Sequence, residues 1–357
     1  MSLFRRNKSK KVLSLDIGSD AIKMLVTTGS FPDSFEIVDY RYLQINASGK
    51  GVQLSEIPAI LSAAVPELRV PTQEIRACIP GNAVIIRVIE TQEVSRHDLK
   101  KAVALQLGRY IPMKPEDVVF DCTPINDTSV RAGYQKCLLA VIRRNVLEER
   151  SAILKTAGLT PLLIDAESVA VMNAYLGCAQ DFDREQGISR IEGAAGACLL
   201  HIGASHADLL VLKGTVPLVC RTIETGADSM VKAIADTLQS PYAEAVEHLK
   251  HLKDQDDSAA QHIHKFVDVL SREIRTSLEY CSREYDLKTE RIYVTGAAAN
   301  NELVCQNLAD TLSFSTYCFN PFVNVKVEKL RERIGDFRSK APAFAPALGL
   351  AIRHLKV

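Results

Sequence analysis

Apolar residues recur along this chain in two rhythms. Short β-branched runs alternate every second position, and longer stretches repeat every third or fourth, so strands and helices are interleaved. The first ordered run, VLSLDIGSDAIKMLVTT, places strands on both sides of a Gly-Ser-Asp turn and predicts a hairpin. FEIVDYRYLQI predicts a third strand, and LSEIPAILSAAV a short helix that ends before Pro66 and Pro71. From about Thr72 the texture changes. EIRACIP and AVIIRVIE read as strands around a Pro80-Gly81-Asn82 turn. A Ser95/Asp98 capping box then opens a helix carrying Leu99, Ala102, Val103 and Leu107, stopped by Ile111-Pro112. Two strands, VVFDCTPI and YQKCLLAVI, precede a helix from Arg144 to Ala157 closed by Gly158 as a left-handed cap. Residues 72 to 159 are therefore expected to form a small insert, after which LLIDA and ESVAVMNAYLG return the chain to its first unit.

Beyond the polar stretch AQDFDREQGISRIEG, the opening pattern repeats as GACLLHIGASHADLLVLKG and VPLVCRTIE. A shift of 185 positions, which carries residue 16 onto residue 201, pairs Leu15 with Leu200, Ile17 with Ile202, Gly18 with Gly203 and Leu25 with Leu210 without a gap. A Gly-turn hairpin followed by a third strand at the head of each half predicts two duplicated lobes. Met230, Val231, Ile234 and Leu238 mark one helix of the second lobe, and Ile263, Phe266, Val267, Leu270, Ile274, Leu278 and Cys281 form the stripe of a longer one. RIYVTG runs into the Gly296 turn and the helix NNELVCQNLADTL, and APALGLAIRHL closes the pattern as a helix opened by proline.

Composition narrows the function. The 357 residues are 47% hydrophobic and 24% charged, which suits folded lobes rather than disorder. Lys plus Arg and Asp plus Glu both number 43, so no basic excess points to nucleic acid. Nine cysteines without a C-x-x-C pair read as buried thiols in a reducing compartment rather than zinc ligands. No stretch approaches the ~20 apolar residues needed to span a bilayer. The basic start MSLFRRNKSKK reads as a frayed arm, or as one that touches an anionic membrane surface.

The candidate chemistry lies in the two Gly turns. Backbone amides in such a turn cradle anions, Asp16 before Gly18 and Ser19 suits a water shell around Mg²⁺, and Lys23 can set its ammonium against phosphates. The plain alternative is a tight hairpin with a surface Asp and Lys. Two facing loops would clamp a polyphosphate from both sides, and the second loop carries His201, Gly203 and Ala204. His248 and His251 lie one helical turn apart but lack a third ligand at metal-site spacing. Ser205, His206 and Asp208 include the residue types of a hydrolase triad, but neighbours on one strand are expected not to converge.

The series VLSLDIGSDAIK, HIGASHADLLVL, IETGADSM, IYVTGAAAN and APALGLAIR resembles the actin-like superfamily, and with QLGRYIPMKPEDVVFDCTPI and AGLTPLLIDAESVAVMNAY it resembles the PilM family of type IV pilus assembly proteins. FtsA and the cytoplasmic part of GspL are similar. The resemblance implies an actin-like (ribonuclease H-like) α/β fold of two duplicated lobes with a small α+β insert. It divides the chain into 1–71 and 160–192 as the first lobe, 72–159 as the insert, 193–334 as the second lobe and 335–357 as a helix returning to the first lobe. It further implies ATP and Mg²⁺ between the lobes, with Gly226, Asp228, Glu247, Lys250, Gly296 and Ala297 on the base and ribose side. Glu247 and Lys250, one turn apart, also read as a solvated pair. His201 stands where the superfamily has Asp, and Ala227 and Ala297 where it has second glycines, so weak nucleotide binding with little hydrolysis is expected. The implied function is a cytoplasmic scaffold, peripheral to the inner membrane, that docks the cytoplasmic N-terminal tail of a PilN-like bitopic protein. A sugar- or acetate-kinase-like phosphotransferase on the same superfold is the alternative.

Overall fold

The computed structural model describes residues 10–46, 48–71, 74–126, 130–189, 195–252 and 258–353; residues 1–9 of the basic arm lie outside them. β1 (Val12–Ile17), β2 (Ala21–Thr28) and β3 (Glu36–Gln44) form an antiparallel meander, joined to α1 (Ile57–Ala64) and β4 (Ile75–Ile79). β5 (Val84–Gln92), α2 (Arg96–Ala104), α3 (Leu107–Tyr110), β6 (Val118–Ile125) and β7 (Tyr134–Arg143) follow. α4 (Arg144–Thr156), β8 (Pro161–Ala166) and α5 (Glu167–Glu185) complete the first half. The second half repeats the meander in β9 (Gly196–Ile202), β10 (Ala207–Lys213) and β11 (Val216–Ile223). It continues through α6 (Ala227–Leu238), α7 (Tyr242–His251), α8 (Ala260–Tyr285), β12 (Thr289–Gly296), α9 (Glu302–Leu312) and β13 (Ser315–Cys318) to α10 (Ile334–Lys340) and α11 (Ala345–Ile352).

The duplication predicted from the register is visible in the strand orders. The first sheet runs β3-β2-β1-β4-β8 and the second β11-β10-β9-β12-β13, each with antiparallel pairs at the meander and parallel pairs thereafter. Each hairpin closes by the same bond, Gly18 N donating to Ala21 O at 3.1 Å and Gly203 N to His206 O at 2.9 Å. These features define an actin-like α/β fold.

Among the described strands of the first half, β5, β6 and β7 leave the first sheet, forming an antiparallel sheet in the order β5-β7-β6 around Leu99, Val103, Leu107 and Leu139. The strand EIRACIP, expected in the insert, instead pairs in parallel with β1 and β8 inside the first lobe. The Pro80-Gly81-Asn82 turn thus redirects the chain into another sheet rather than folding a hairpin. Likewise α4 packs Ile153 and Leu154 against Leu61 and Leu68 of the first-lobe core. The helix expected to run from Ser95 to Ile111 breaks after Ala104, where Gln106 leaves helical geometry two residues before the poor helix former Gly108.

Two helices fill the space between the sheets. α5 contributes Tyr175, Cys178 and Phe182, and α11 Leu348 and Ile352, to a core shared with Leu25 and Tyr40 of the first sheet and Leu199, Leu210 and Tyr293 of the second. The final helix packs against α5 and β4 in two details. A Cβ on Gly349 would stand 1.7 Å from the Ala170 carbonyl oxygen, so α11 and α5 touch backbone to backbone. Arg76 of β4 donates through Nη1 to the carbonyls of Leu350, Ala351 and Arg353 at 2.7, 2.8 and 2.9 Å, closing the C-terminus of α11.

One pair of cysteines departs from the all-thiol expectation: Cys305 of α9 and Cys318 of β13 form a disulfide with a Cα separation of 6.3 Å. A search for C-x-x-C spacing misses a bridge between a helix and the strand that follows it. No helix among the described residues is long and apolar enough to cross a membrane.

Candidate functional site

The two Gly turns face each other across an interlobe cavity of about 240 Å³, lined by Gly18, Ser19 and Lys23 on one side and His201, Gly203 and Ala204 on the other. Asp16 and Lys23 are directly opposed across β1 and β2, and Lys23 Nζ lies 2.6 Å from Asp16 Oδ2. Both are buried, with side chains 2% and 12% exposed respectively. Burial alone would lower the Lys23 pKa, but the Asp16 and Glu167 carboxylates outweigh it and raise it, so the ammonium is charged at any ordinary pH. The two side chains are therefore not surface charges on a tight hairpin, and Lys23 lines the cavity.

In the second lobe the positions equivalent to Asp16 and Lys23 are His201 and Asp208, again cross-strand partners. The acid and the base have exchanged strands. Between the two pairs stands Glu167, the first residue of α5, which the sequence reading passed over as part of the lobe return. Its carboxylate accepts from the Gly81 amide at 3.2 Å and faces Nε2 of His206 at 3.3 Å and Nε2 of His201 at 3.5 Å. Burial would raise this carboxyl, yet the two imidazoles hold it well below the usual range. His206 is correspondingly raised: burial opposes its charge, and Glu167 overcomes that. Asp208 is fully buried, accepts from Thr222 Oγ1 at 2.7 Å, and has no partner for Oδ2 among the described residues. Burial, and then the Glu167 charge, push it up to about 6.

The expectation that Ser205 and His206 could not converge is corrected. They occupy the turn between β9 and β10, not a strand, and Ser205 Oγ lies 3.0 Å from His206 Nδ1. His206 then faces Glu167 rather than Asp208.

The base-side residues behave less uniformly. Ala297 lines the cavity. Gly226 caps α6, but the next two amides are taken internally: Ala227 N donates to Gly203 O and Asp228 N to Ala204 O, both at 2.9 Å. Asp228 accepts from Tyr242 at 2.6 Å and from Asn46 of the first lobe at 3.4 Å, tying the lobes together. Gly296 ends β12, paired with Ile202. Glu247 and Lys250 bind each other at 2.8 Å on the surface of α7, 59% and 58% exposed, and do not line the cavity. His251 faces Glu247 on the same exposed surface, so the solvated reading of this helix fits the geometry.

A second cavity, of about 280 Å³, opens between the insert and the first lobe. β6 is an edge of the insert sheet and β8 an edge of the first sheet, and both line this groove, with Phe120, Leu138, Ile164 and Val169 as its apolar wall. Asp165 and Arg353 form an ion pair within it.

A family model described as "Type IV pilus assembly protein PilM" matches residues 14–355. The chain belongs to the PilM family. Among solved structures it is similar to a PilM-PilN type IV pilus biogenesis complex, at 24% identity with a TM-score of 0.79, covering 96% of this chain and 99% of that one. It also resembles the ethanolamine utilization protein EutJ from Carboxydothermus hydrogenoformans, at 14% identity with a TM-score of 0.53, covering 96% and 89%. The fold of this PilM-family chain is thus that of the actin-like proteins, consistent with its two matched sheets.

Proposed function

We propose that this PilM-family protein works as a cytoplasmic, nucleotide-loaded scaffold at the inner membrane. Its insert groove would hold the N-terminal cytoplasmic tail of a PilN-like bitopic protein, anchoring a chain whose described helices include no membrane span of their own. The observation that carries this reading is the pair of edge strands, β6 and β8, bordering one apolar groove. An extended peptide adding to such an edge gains main-chain hydrogen bonds, while apolar side chains every second position find pockets. The solved PilM-PilN complex supports a partner of this kind.

ATP fits the interlobe cavity chemically. Lys23 would meet the phosphates, the Gly18–Ser19 and Gly203–Ala204 turns would flank them, and Asp16 would hold the waters of Mg²⁺. His201 cannot replace a second carboxylate there. Glu167, held well below the usual carboxylate range by two imidazoles, is a poor general base for an attacking water. Binding with little turnover follows.

Isothermal calorimetry with the tail peptide of the PilN-like partner tests the proposal. Ordering about ten residues predicts an affinity on the order of micromolar. Phe120→Asp should weaken binding at least about tenfold, or roughly 1.4 kcal/mol. Point substitution is the appropriate perturbation, since deleting 72–159 would also remove β4 from the first sheet. No binding to the intact chain, with or without MgATP, would overturn the scaffold reading.

A further inference from the structure

The floor of the interlobe cleft holds more donor chemistry than a phosphate site uses. Glu167, His206 and Asp208 are all buried, and each offers one ligand atom within 4.8 Å of the others. They come from three places in the fold: the start of α5, the β9–β10 turn and β10. Nothing local in the chain requires them to meet.

Each of the three is also held from behind. Ser205 Oγ lies 3.0 Å from His206 Nδ1, and without a metal Nε2–H points at Glu167; an ion that displaces that proton takes the Nε2 lone pair while Nδ1–H is held by Ser205. Thr222 donates to Asp208 Oδ1, and the Gly81 amide donates to Glu167 Oε2. A Cβ on Gly81 would stand 2.1 Å from Asp208 Oδ1, so a glycine there lets the first-lobe backbone close directly over the cluster. Such outer partners fix ligand orientation in metal sites. Asp208 Oδ2, in a residue with 0% exposure, has no hydrogen-bond partner among the described residues. An orphaned buried carboxylate oxygen is costly, and a cation is what would satisfy it.

We infer that Glu167, His206 and Asp208 bind one first-row divalent metal ion, of which Zn²⁺ is the best fit. Two carboxylates and a neutral imidazole balance a 2+ charge at a site whose three residues are at most 6% exposed. Tetrahedral bonds of about 2.0–2.1 Å place ligand atoms about 3.3 Å apart. The His206–Glu167 separation is already 3.3 Å. An imidazole ligand disfavours Mg²⁺, which separates this site from the nucleotide's ion. By joining β10 of the second lobe to α5 at the first lobe's edge, the metal would lock the angle between lobes. The inference is independent of the tail-docking reading; Glu167 and His206 also line the cavity of the ATP reading, so the ion is titrated without nucleotide.

The test uses the full chain, stripped with chelator and titrated with Zn²⁺ or Co²⁺ without nucleotide. One ion per chain is expected, with a dissociation constant below about 1 μM and the visible bands of low-symmetry Co²⁺. Asp208→Asn and His206→Gln should each weaken binding about 100-fold or more. His251→Ala, which removes the exposed His–Glu pair on α7, should leave it unchanged. Because buried substitutions can unfold the chain, X-ray absorption of the wild-type Zn²⁺ complex supplies a second readout, with oxygen ligands and at least one imidazole expected. Absence of stoichiometric binding, loss of binding in His251→Ala, or a sulfur-containing shell would each overturn the inference.

Discussion

Removing the Lys23 ammonium separates what this residue does for folding from what it does for a ligand. Lys23→Met keeps most of the side-chain volume and deletes only the charge. Asp16, 2% exposed, then loses the partner that stands 2.6 Å away. Stripping one member from a buried ion pair costs about 3–5 kcal/mol, because the remaining charge is uncompensated. Asp16→Asn in the same chain removes that charge, so the double variant should recover most of the loss, with a coupling of about 2–3 kcal/mol. ATP binding should behave differently. Loss of a phosphate-facing ammonium weakens a fluorescent ATP analogue about thirtyfold, or roughly 2 kcal/mol, and the second substitution cannot restore it. The chain contains no Trp, so urea unfolding is followed by circular dichroism, comparing apparent midpoints because two lobes need not unfold together. Two results would refute the reasoning: unchanged ATP affinity in Lys23→Met, or affinity restored along with stability in the double variant.

Two further outcomes can be stated. Gly349→Ala drives a methyl into the Ala170 carbonyl, 1.7 Å away, and should cost about 1–3 kcal/mol or more as α11 separates from α5; an unshifted urea midpoint would show that the crossing is loose. Asp20 is raised above 3.8, by burial first and then by Asp228, so the folded state holds a proton that the unfolded state releases in the window just above 3.8. Its contribution to stability therefore falls as pH rises through that window, and Asp20→Asn should be relatively more stabilising at pH 7 than at pH 4; a difference constant with pH would contradict this.

Legibility from the sequence followed a physical divide. The duplicated meanders were readable because strand alternation and a Gly turn are local, and the same shift of residue 16 onto 201 carries Lys23 onto Asp208, a correspondence that the sequence reading left unused. The stripe on α8 was readable for the same reason, and all seven of its residues are buried. Glu167 was not, because its role arises only when α5 meets a turn formed nearly forty residues later. Nor was the sheet membership of β4, since Pro80-Gly81-Asn82 has the same local chemistry whether it closes a hairpin or sends a strand elsewhere. Glu247 and Lys250 were carried over from the resemblance and sit on a solvated face, where i,i+3 spacing is satisfied by mutual pairing.

The position of α11 also has a consequence for how the protein is made. The first sheet and α5 are synthesised early, but the helix that covers them follows only after roughly 160 further residues. At about 5–20 residues per second, an apolar face including Ala170 and Cys178 stays uncovered on the ribosome for roughly 10 to 30 s. The first lobe therefore cannot finish folding before the second has been translated, and the nascent chain should depend on a holding chaperone over that interval.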